Sequence, residues 1–286
     1  MENWSNMIEL PEATVIARQM TVGLKGKKVE SCIRGNSPHK FAFYNRPPEE
    51  YEAILKGKTM GSAVEQGSQI WASVEPDYVL VLGEGGERIL FHKDESTLPE
   101  KHQFLLHFED DMYLTVTVQG WGFVQLFHQS EIEGKKGTHL GRKAVSPLSD
   151  EFTFEYLQGL FEELEKEDSR SIKFFIISKP GVWGIGNGYL QDILFRAKVH
   201  PRKRCVDLIE NEKKMLYKAI RETLKQAVEL GGRDTEFDLY NRPGKYKKVL
   251  DSRQVGKPCP ECGTPIEKQQ YLGGAIYYCP SCQKLP

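Results

Sequence analysis

Four cysteines near the C-terminal end of the chain occur as two Cys-x2-Cys pairs with 16 residues between the pairs. The segment 255–286 that contains them is too short to build a hydrophobic core and needs a cross-link to fold. Two such pairs offer four thiolates to one tetrahedral ion, as structural zinc sites do. The spacing therefore predicts a zinc finger in which Cys259, Cys262, Cys279 and Cys282 bind a structural Zn²⁺. The alternatives are buried thiols or a redox-active pair.

The sequence contains no run of about 18 apolar residues, so no membrane-spanning helix and no membrane partner are predicted. The N-terminus lacks the basic segment followed by an apolar one that is typical of a secretory signal. A cytoplasmic location is therefore expected, where cysteines stay reduced. Apolar residues make up 39% of the 286 residues, which is enough for a packed core and excludes wholesale disorder.

Basic and acidic residues are distributed unevenly along the chain. Residues 171–286 contain 21 Lys and Arg against 12 Asp and Glu, a balance of +9, whereas residues 1–170 contain 18 against 28, a balance of −10. The C-terminal part is therefore suited to lie against a polyanion. The alternative is that both parts are ordinary solvated surfaces.

The pattern of apolar residues divides the chain into a β-rich part and a helical part. Pro11 and Glu12 suit the first turn of a helix over residues 11–24, and short β-rich runs with turn residues between them follow from 28 to about 128. Many short strands predict an antiparallel sandwich or barrel. Helical spacing then begins at Ser149 and recurs up to Gly231-Gly232, whose glycines are expected to end the last helix.

These patterns predict an α+β fold. An N-terminal helix and an antiparallel β-sandwich form the first domain, and a helix–two-turn–helix domain with a zinc-finger hairpin follows. The predicted domain bounds are 1–135, 146–250 and 255–286.

A glycine-rich turn lies between two of the predicted helices, at Gly184-Ile185-Gly186-Asn187-Gly188. Glycines before a helix let backbone N–H groups approach an anion, and the helix dipole assists. The turn does not follow a strand, so a dinucleotide site is not predicted. Ten Lys and Arg against four Asp and Glu in residues 196–225 favour phosphate binding instead. The alternative is a simple interhelical turn.

The stretch GVWGIGNGYLQDILFRAKVHPRKR resembles the helix–two-turn–helix signature of the formamidopyrimidine-DNA glycosylase and endonuclease VIII family. The C-terminal stretch VGKPCPECGTPIEKQQYLGGAIYYCPSCQKLP resembles that family's zinc finger, and Ile8-Glu9-Leu10-Pro11-Glu12 resembles its N-terminal signature. The three matches occur in the family's order and span nearly the whole chain. The chain is thus identified as a divergent member of this family.

The resemblance implies base-excision repair of double-stranded DNA containing a damaged base, by a monomeric, bacterial-type protein associated with the nucleoid. Base flipping fits this chemistry, because the glycosidic bond is shielded within the stack. Glu9 and Glu12 fall on acidic catalytic positions, although both would also cap a helix. The residues expected to contact DNA are Asn187, Gly186, Arg202, Lys203, Lys173 and Trp121.

The sequence departs from the family pattern at several functional positions. Ile8 replaces the proline whose amine attacks the sugar, and an internal residue offers an amide that forms no imine. Ser68 and Gly274 align with a lysine and an arginine of the family, and Glu84 aligns with a methionine that fills the void left by the flipped base. Trp121 aligns with the aromatic wedge residue, and its alternative role is in the sheet core.

Three functional hypotheses follow from these departures. In the first, the protein is a DNA N-glycosylase that releases a modified base by hydrolysis and has lost the lyase step, with Glu9 and Glu12 activating water. In the second, it is a catalytically inactive family member that binds damaged or distorted DNA. In the third, it is a bifunctional glycosylase and lyase with an unrecognised amine nucleophile, such as a lysine.

Overall fold

The computed structural model describes residues 7–134 and 144–285, and the backbone alone at 138–139 and 142–143. Contacts divide the chain into an N-terminal unit, residues 1–144 with 228–246, and a C-terminal unit, residues 145–227 with 247–286. The predicted domain limits at residues 1, 135 and 286 lie outside the described residues, and the predicted boundaries stay predictions. No helix in the described part of the chain is long and apolar enough to cross a membrane.

The N-terminal unit begins with one helix and continues as a run of short strands. Helix α1 spans Leu10–Leu24 and α2 spans Pro48–Leu55. The strands are β1 (Val29–Ile33), β2 (Ala42–Phe43), β3 (Thr59–Gln66), β4 (Gln69–Glu75), β5 (Tyr78–Gly83), β6 (Glu87–His92), β7 (Phe104–Phe108), β8 (Tyr113–Val118), β9 (Gly122–His128), β10 (Thr138–His139) and β11 (Arg142–Lys143).

Two sheets form the predicted sandwich. One has the strand order β1-β7-β8-β6 and is antiparallel, and the other has the order β2-β9-β5-β4-β3. One continuous core joins them, with Leu106 and Leu114 from the first sheet, Leu80 and Leu126 from the second, and Ile16 from α1. The sandwich prediction is confirmed. The one departure is that β2 pairs with β9 in parallel, which places β2 at an edge of the second sheet.

The C-terminal unit contains the predicted helices and the zinc-finger hairpin. The elements are α3 (Phe154–Glu162), α4 (Ile172–Ile177), α5 (Asn187–Arg196), α6 (Glu210–Glu229), β12 (Glu267–Tyr271) and β13 (Gly274–Tyr278). Ser149 was expected to begin the first helix, but Thr153 caps it, because its Oγ1 accepts the Tyr156 N–H at 3.1 Å. The α6 helix ends just before Gly231 and Gly232, which both adopt positive φ angles, as expected of a glycine stop.

Candidate functional site

The start of α1 carries two acidic side chains that are almost completely buried. Glu9 caps the helix and is 4% exposed, and Glu12 in the first turn is 3% exposed. The Glu9 backbone N–H donates to Glu12 Oε2 at 3.2 Å, so the helix-capping role considered for both residues is present. Capping alone leaves two carboxylates in a dry environment, which is costly unless a cation pairs with them.

The cation is Arg233, which has no exposed surface. Its Nε lies 3.1 Å from Glu12 Oε1, and its Nη1 lies 3.3 Å from Glu9 Oε1. Its backbone N–H donates to Glu12 Oε1 at 3.0 Å, and Nη2 also donates to the Met7 carbonyl. One guanidinium therefore holds both predicted catalytic acids at the start of α1.

Gly232 and Glu236 also lie beside Arg233. We call Glu9, Glu12, Glu236 and Arg233 the acidic cluster. Gly232 approaches so closely that an added Cβ would lie 3.2 Å from Glu12 Oε1, and its φ of +91° also favours glycine. A third carboxylate, Glu236, lies 3.9 Å from Arg233 Nη2. Burial raises the pKa of Glu236 to about 8, aided by the charges of Glu12 and Glu9 and opposed by Arg233. Glu236 therefore holds its proton to a higher pH than an exposed glutamate does.

Ile8, which was predicted to align with the family's nucleophilic proline, is buried and fixed by its backbone. Its N–H donates to the Gly85 carbonyl at 2.9 Å, and its residue surface is 4% exposed. A peptide nitrogen in this bond has no free lone pair, since the pair is delocalised into the carbonyl. The Ile8 nitrogen is therefore an amide that donates a backbone hydrogen bond, and it is not an amine nucleophile.

The loop that contains Gly85 packs against the loop that contains Trp121. The Gly86 N–H donates to the Trp121 carbonyl at 2.8 Å, and the buried Glu87 carboxylate accepts the N–H groups of Gly85 and Phe123 at 2.9 and 2.6 Å. Burial raises the pKa of Glu87 to about 7. Trp121 itself is half-buried between β8 and β9, edge-on to Phe123 at 5.4 Å between ring centroids. Both assignments of Trp121, as wedge or as core, stay predictions.

In the C-terminal unit, Gly186 caps α5 and Asn187 is its exposed first residue, so the glycine-rich turn leads into a helix N-terminus as predicted. Lys173 is 1% exposed, and its Nζ donates to the Tyr271 carbonyl at 2.7 Å in the hairpin. Burial lowers the pKa of Lys173. A Cβ at Gly274 would lie 2.9 Å from Asn187 Nδ2 and 3.5 Å from Lys173 Nζ. A side chain at Gly274, which was predicted to align with an arginine of the family, would therefore displace the Asn187 amide.

The basic residues near α6 differ in how they are held. Arg202 is exposed, donates to Gln269 Oε1 at 3.3 Å and lies over the Tyr271 ring at 5.4 Å from its centroid. Lys203 is paired with Glu212, with Nζ 2.6 Å from Oε1. Arg202 is therefore the more available of the two for an external anion.

The four predicted zinc ligands meet in one cluster. Their Sγ atoms all lie within 4.8 Å of one another. The Cys259 and Cys282 Sγ atoms are 3.9 Å apart, and those of Cys262 and Cys279 are 3.5 Å apart. Tetrahedral zinc with bonds of about 2.3 Å requires sulfur–sulfur distances of about 3.8 Å. The four side chains fit one Zn²⁺.

Comparison with known proteins identifies the family. The formamidopyrimidine-DNA glycosylase N-terminal domain matches residues 7–119, and the formamidopyrimidine-DNA glycosylase H2TH domain matches residues 143–238. The formamidopyrimidine-DNA glycosylases of Cytobacillus firmus and Bacillus licheniformis are each 31% identical, with 97% of this chain and 100% of those proteins covered. The chain therefore belongs to the formamidopyrimidine-DNA glycosylase family, as its motifs predicted.

Solved structures agree with this fold. One is a complex between Lactococcus lactis Fpg and DNA containing an abasic site, at 22% identity and a TM-score of 0.81. Another is a complex between wild-type Lactococcus lactis Fpg and DNA containing N7-benzyl-Fapy-dG, at 23% identity and a TM-score of 0.82. Each comparison covers 97% of this chain and 100% of the solved chain.

Replacing Arg233 tests whether it supports the acidic cluster. Arg233→Met leaves Glu9 and Glu12 buried without a cation, so we expect the free energy of unfolding to fall by roughly 3–5 kcal/mol. Urea denaturation followed by circular dichroism measures this loss. Arg242→Met is the matched control, because Arg242 is exposed in the same segment. Equal losses in the two variants would contradict the assigned role of Arg233.

The raised pKa of Glu236 predicts a pH dependence. Between pH 4.5 and about 8 the folded state binds more protons at Glu236 than the unfolded state, so this residue lowers the free energy of unfolding as the pH rises. Glu236→Gln removes that effect. Denaturation at several pH values should show the variant gaining stability relative to wild type across this window. Glu49→Gln, which changes an exposed glutamate, is the control, and its free energy of unfolding should change with pH as that of wild type does. If the free energy of unfolding of Glu236→Gln also follows wild type across this window, the burial of Glu236 has no such effect.

Proposed function

We propose that this protein is a DNA N-glycosylase of base-excision repair that releases a damaged base by hydrolysis. The observation that carries the proposal is the pair Glu9 and Glu12, held together at the start of α1 beside an Ile8 nitrogen that is an amide. The names of the relatives support the substrate class, since they are formamidopyrimidine-DNA glycosylases. The Lactococcus lactis structures support a DNA partner, since they contain damaged or abasic DNA.

The proposed chemistry needs a carboxylate but no amine. Breaking the glycosidic bond leaves positive charge on the sugar, which a nearby carboxylate stabilises. Glu9 is assigned to this role and to accepting a proton from the attacking water, and Glu12 holds Glu9 and Arg233 in place. The target base has to leave the stack before the bond is accessible. Trp121 is assigned as the side chain that fills the resulting gap.

Binding to the duplex is assigned to the C-terminal unit. Asn187 and Arg202 supply donors for phosphates, Gly186 begins the helix that presents Asn187, and Lys203 and Lys173 add positive charge to the same unit. These contacts position the protein without reading sequence. A Zn²⁺ held by the four cysteines would supply the folding energy of the hairpin and no catalytic step. A monomeric state and a cytoplasmic location at the nucleoid belong to the same proposal.

Two specific observations favour the competing functions. Arg233 engages both Glu9 and Glu12, which occupies carboxylate oxygens that catalysis would need and favours an inactive protein that binds damaged DNA. Lys173 has a pKa lowered by burial, as many amine nucleophiles do, which favours a bifunctional enzyme only once its Nζ is released from the Tyr271 carbonyl. The hydrolytic function is preferred because a monofunctional reaction uses the carboxylates present and needs no amine near the sugar.

Base release and covalent trapping separate the three functions. We expect wild type to release a base from at least one duplex in a panel of oxidised, alkylated and cross-linked lesions, measured by mass spectrometry, without a borohydride-trapped adduct on abasic DNA. Glu9→Gln should slow base release by roughly 10²-fold or more, while Glu49→Gln should not. Binding without base release would favour the inactive protein, and a strong adduct at Lys173 would favour the bifunctional enzyme.

Zinc content tests the metal assignment. We expect one zinc per chain in freshly purified protein, measured by atomic emission. Cys279→Ser should lose zinc and most duplex affinity, because structural zinc provides the folding energy of so small a segment. Cys205→Ala, which alters a buried cysteine outside the cluster, should retain the metal. Purified wild type without zinc would contradict the assignment.

A further inference from the structure

Residues 34–46 form a basic and aromatic segment in an otherwise acidic part of the chain. The segment contains Arg34, His39, Lys40 and Arg46 and no Asp or Glu, although residues 1–170 as a whole carry a balance of −10. It also contains Phe41, Phe43 and Tyr44. Alternating cations and aromatic rings are typical of surfaces that bind single-stranded nucleic acid. The assigned glycosylase residues include none of this segment.

The structure exposes two of these rings, one in the edge strand β2 and one in the turn before it. Phe41 is 45% exposed and Phe43 is 42% exposed, which is unusual for rings of this size. Phe43 lies in β2 and Phe41 lies in the turn directly before it. The Lys40 Nζ lies 5.3 Å from the centroid of the Phe41 ring, which adds a cation beside the exposed rings.

The exposed rings continue into the loop that carries Trp121. Strand β2 pairs with β9 so that Phe43 lies opposite Phe123, and these two rings are 5.4 Å apart. Phe123 in turn contacts Trp121 at 5.4 Å. The Gly122 N–H donates to the Phe41 carbonyl at 2.9 Å, which fixes β2 against this loop. We call Phe41, Phe43, Trp121 and Phe123 the aromatic strip.

Backbone hydrogen bonds also connect the aromatic strip to the acidic cluster. The Gly86 N–H donates to the Trp121 carbonyl, and the Ile8 N–H donates to the Gly85 carbonyl, at 2.8 and 2.9 Å. Ile8 directly precedes Glu9. A strand of DNA at Glu9 therefore has a row of apolar rings and a cation within the same unit of the protein.

We infer that the aromatic strip is a stacking surface for unpaired DNA bases next to the lesion. Apolar rings with few cations favour bases over phosphates, since every base offers a flat face and stacking needs no particular sequence. The inference rests on the proposed DNA-binding function and extends it, because it gives the protein a preference for lesions within bulged or locally melted DNA. A fully paired duplex keeps its bases stacked and has none to offer this surface.

Binding to undamaged DNA tests the inference independently of catalysis. The probes are a duplex with a three-base bulge containing 2-aminopurine and a fully paired duplex of the same flanking sequence. We expect Phe43→Ala to weaken binding to the bulged probe by at least fivefold and to leave the paired duplex unchanged, since one stacked base contributes a factor of this size or more. We expect 2-aminopurine that stacks on the wild-type protein to show quenched fluorescence, and Phe43→Ala should lose this quenching.

Two further variants guard against indirect effects. Phe43→Tyr keeps an aromatic ring and should restore bulge binding, whereas Phe43→Leu keeps apolar volume and should not. Val64→Ala is the matched control, because Val64 is 40% exposed on β3 at the opposite edge of the same sheet. Circular dichroism checks that each variant is folded.

The outcomes are distinct from those of the glycosylase assay. Equal losses on bulged and paired probes, or full activity of Phe43→Leu on the bulge, would overturn the inference even if base release is observed. Selective loss on the bulge supports it even if no lesion is ever cleaved. If sedimentation shows wild-type dimers that Phe43→Ala dissociates, the strip is a contact between copies of the chain and the inference is wrong.

Discussion

The candidate site depends on the pairing of the Arg233 guanidinium with Glu9 and Glu12. Arg233 lies between Glu9 and Glu12 with no exposed surface, and its own backbone N–H adds a further bond to Glu12. Two carboxylates at the start of a helix gain some stability from its dipole, but far less than their burial costs. Without the arginine, these acids would have to take up protons or move to solvent, and α1 would lose its fixed start.

This pairing also limits the chemistry of the site. The same segment that supplies Arg233 brings in Glu236, whose pKa is raised by burial, so three carboxyls surround one cation. A buried carboxyl with a raised pKa is suited to proton transfer near neutral pH. Ile8, by contrast, offers an amide that is already bonded to Gly85. The arrangement therefore favours proton transfer and water over an amine nucleophile.

Sequence patterns predicted the parts of this structure that depend on local spacing. The four cysteines, the glycine stop at Gly231 and the short β-rich runs from residue 28 to about 128 each carry their signal in neighbouring residues. Strand β4 has the alternating burial typical of a strand, with Ile70, Ala72 and Val74 buried. Arg233 could not be found at all: it contacts Glu12 across 221 positions of chain, and no local pattern reports such a partner.

A double-mutant cycle between Arg233 and Glu12 tests the central claim most directly. The free energy of unfolding is measured for wild type, Arg233→Met, Glu12→Gln and the double variant. If the guanidinium holds the acidic cluster together, the double variant should be more stable than the sum of the single losses predicts, by about 1.5 kcal/mol or more. Losses that add within about 0.5 kcal/mol would contradict the claim, because they would mean that the two side chains act independently.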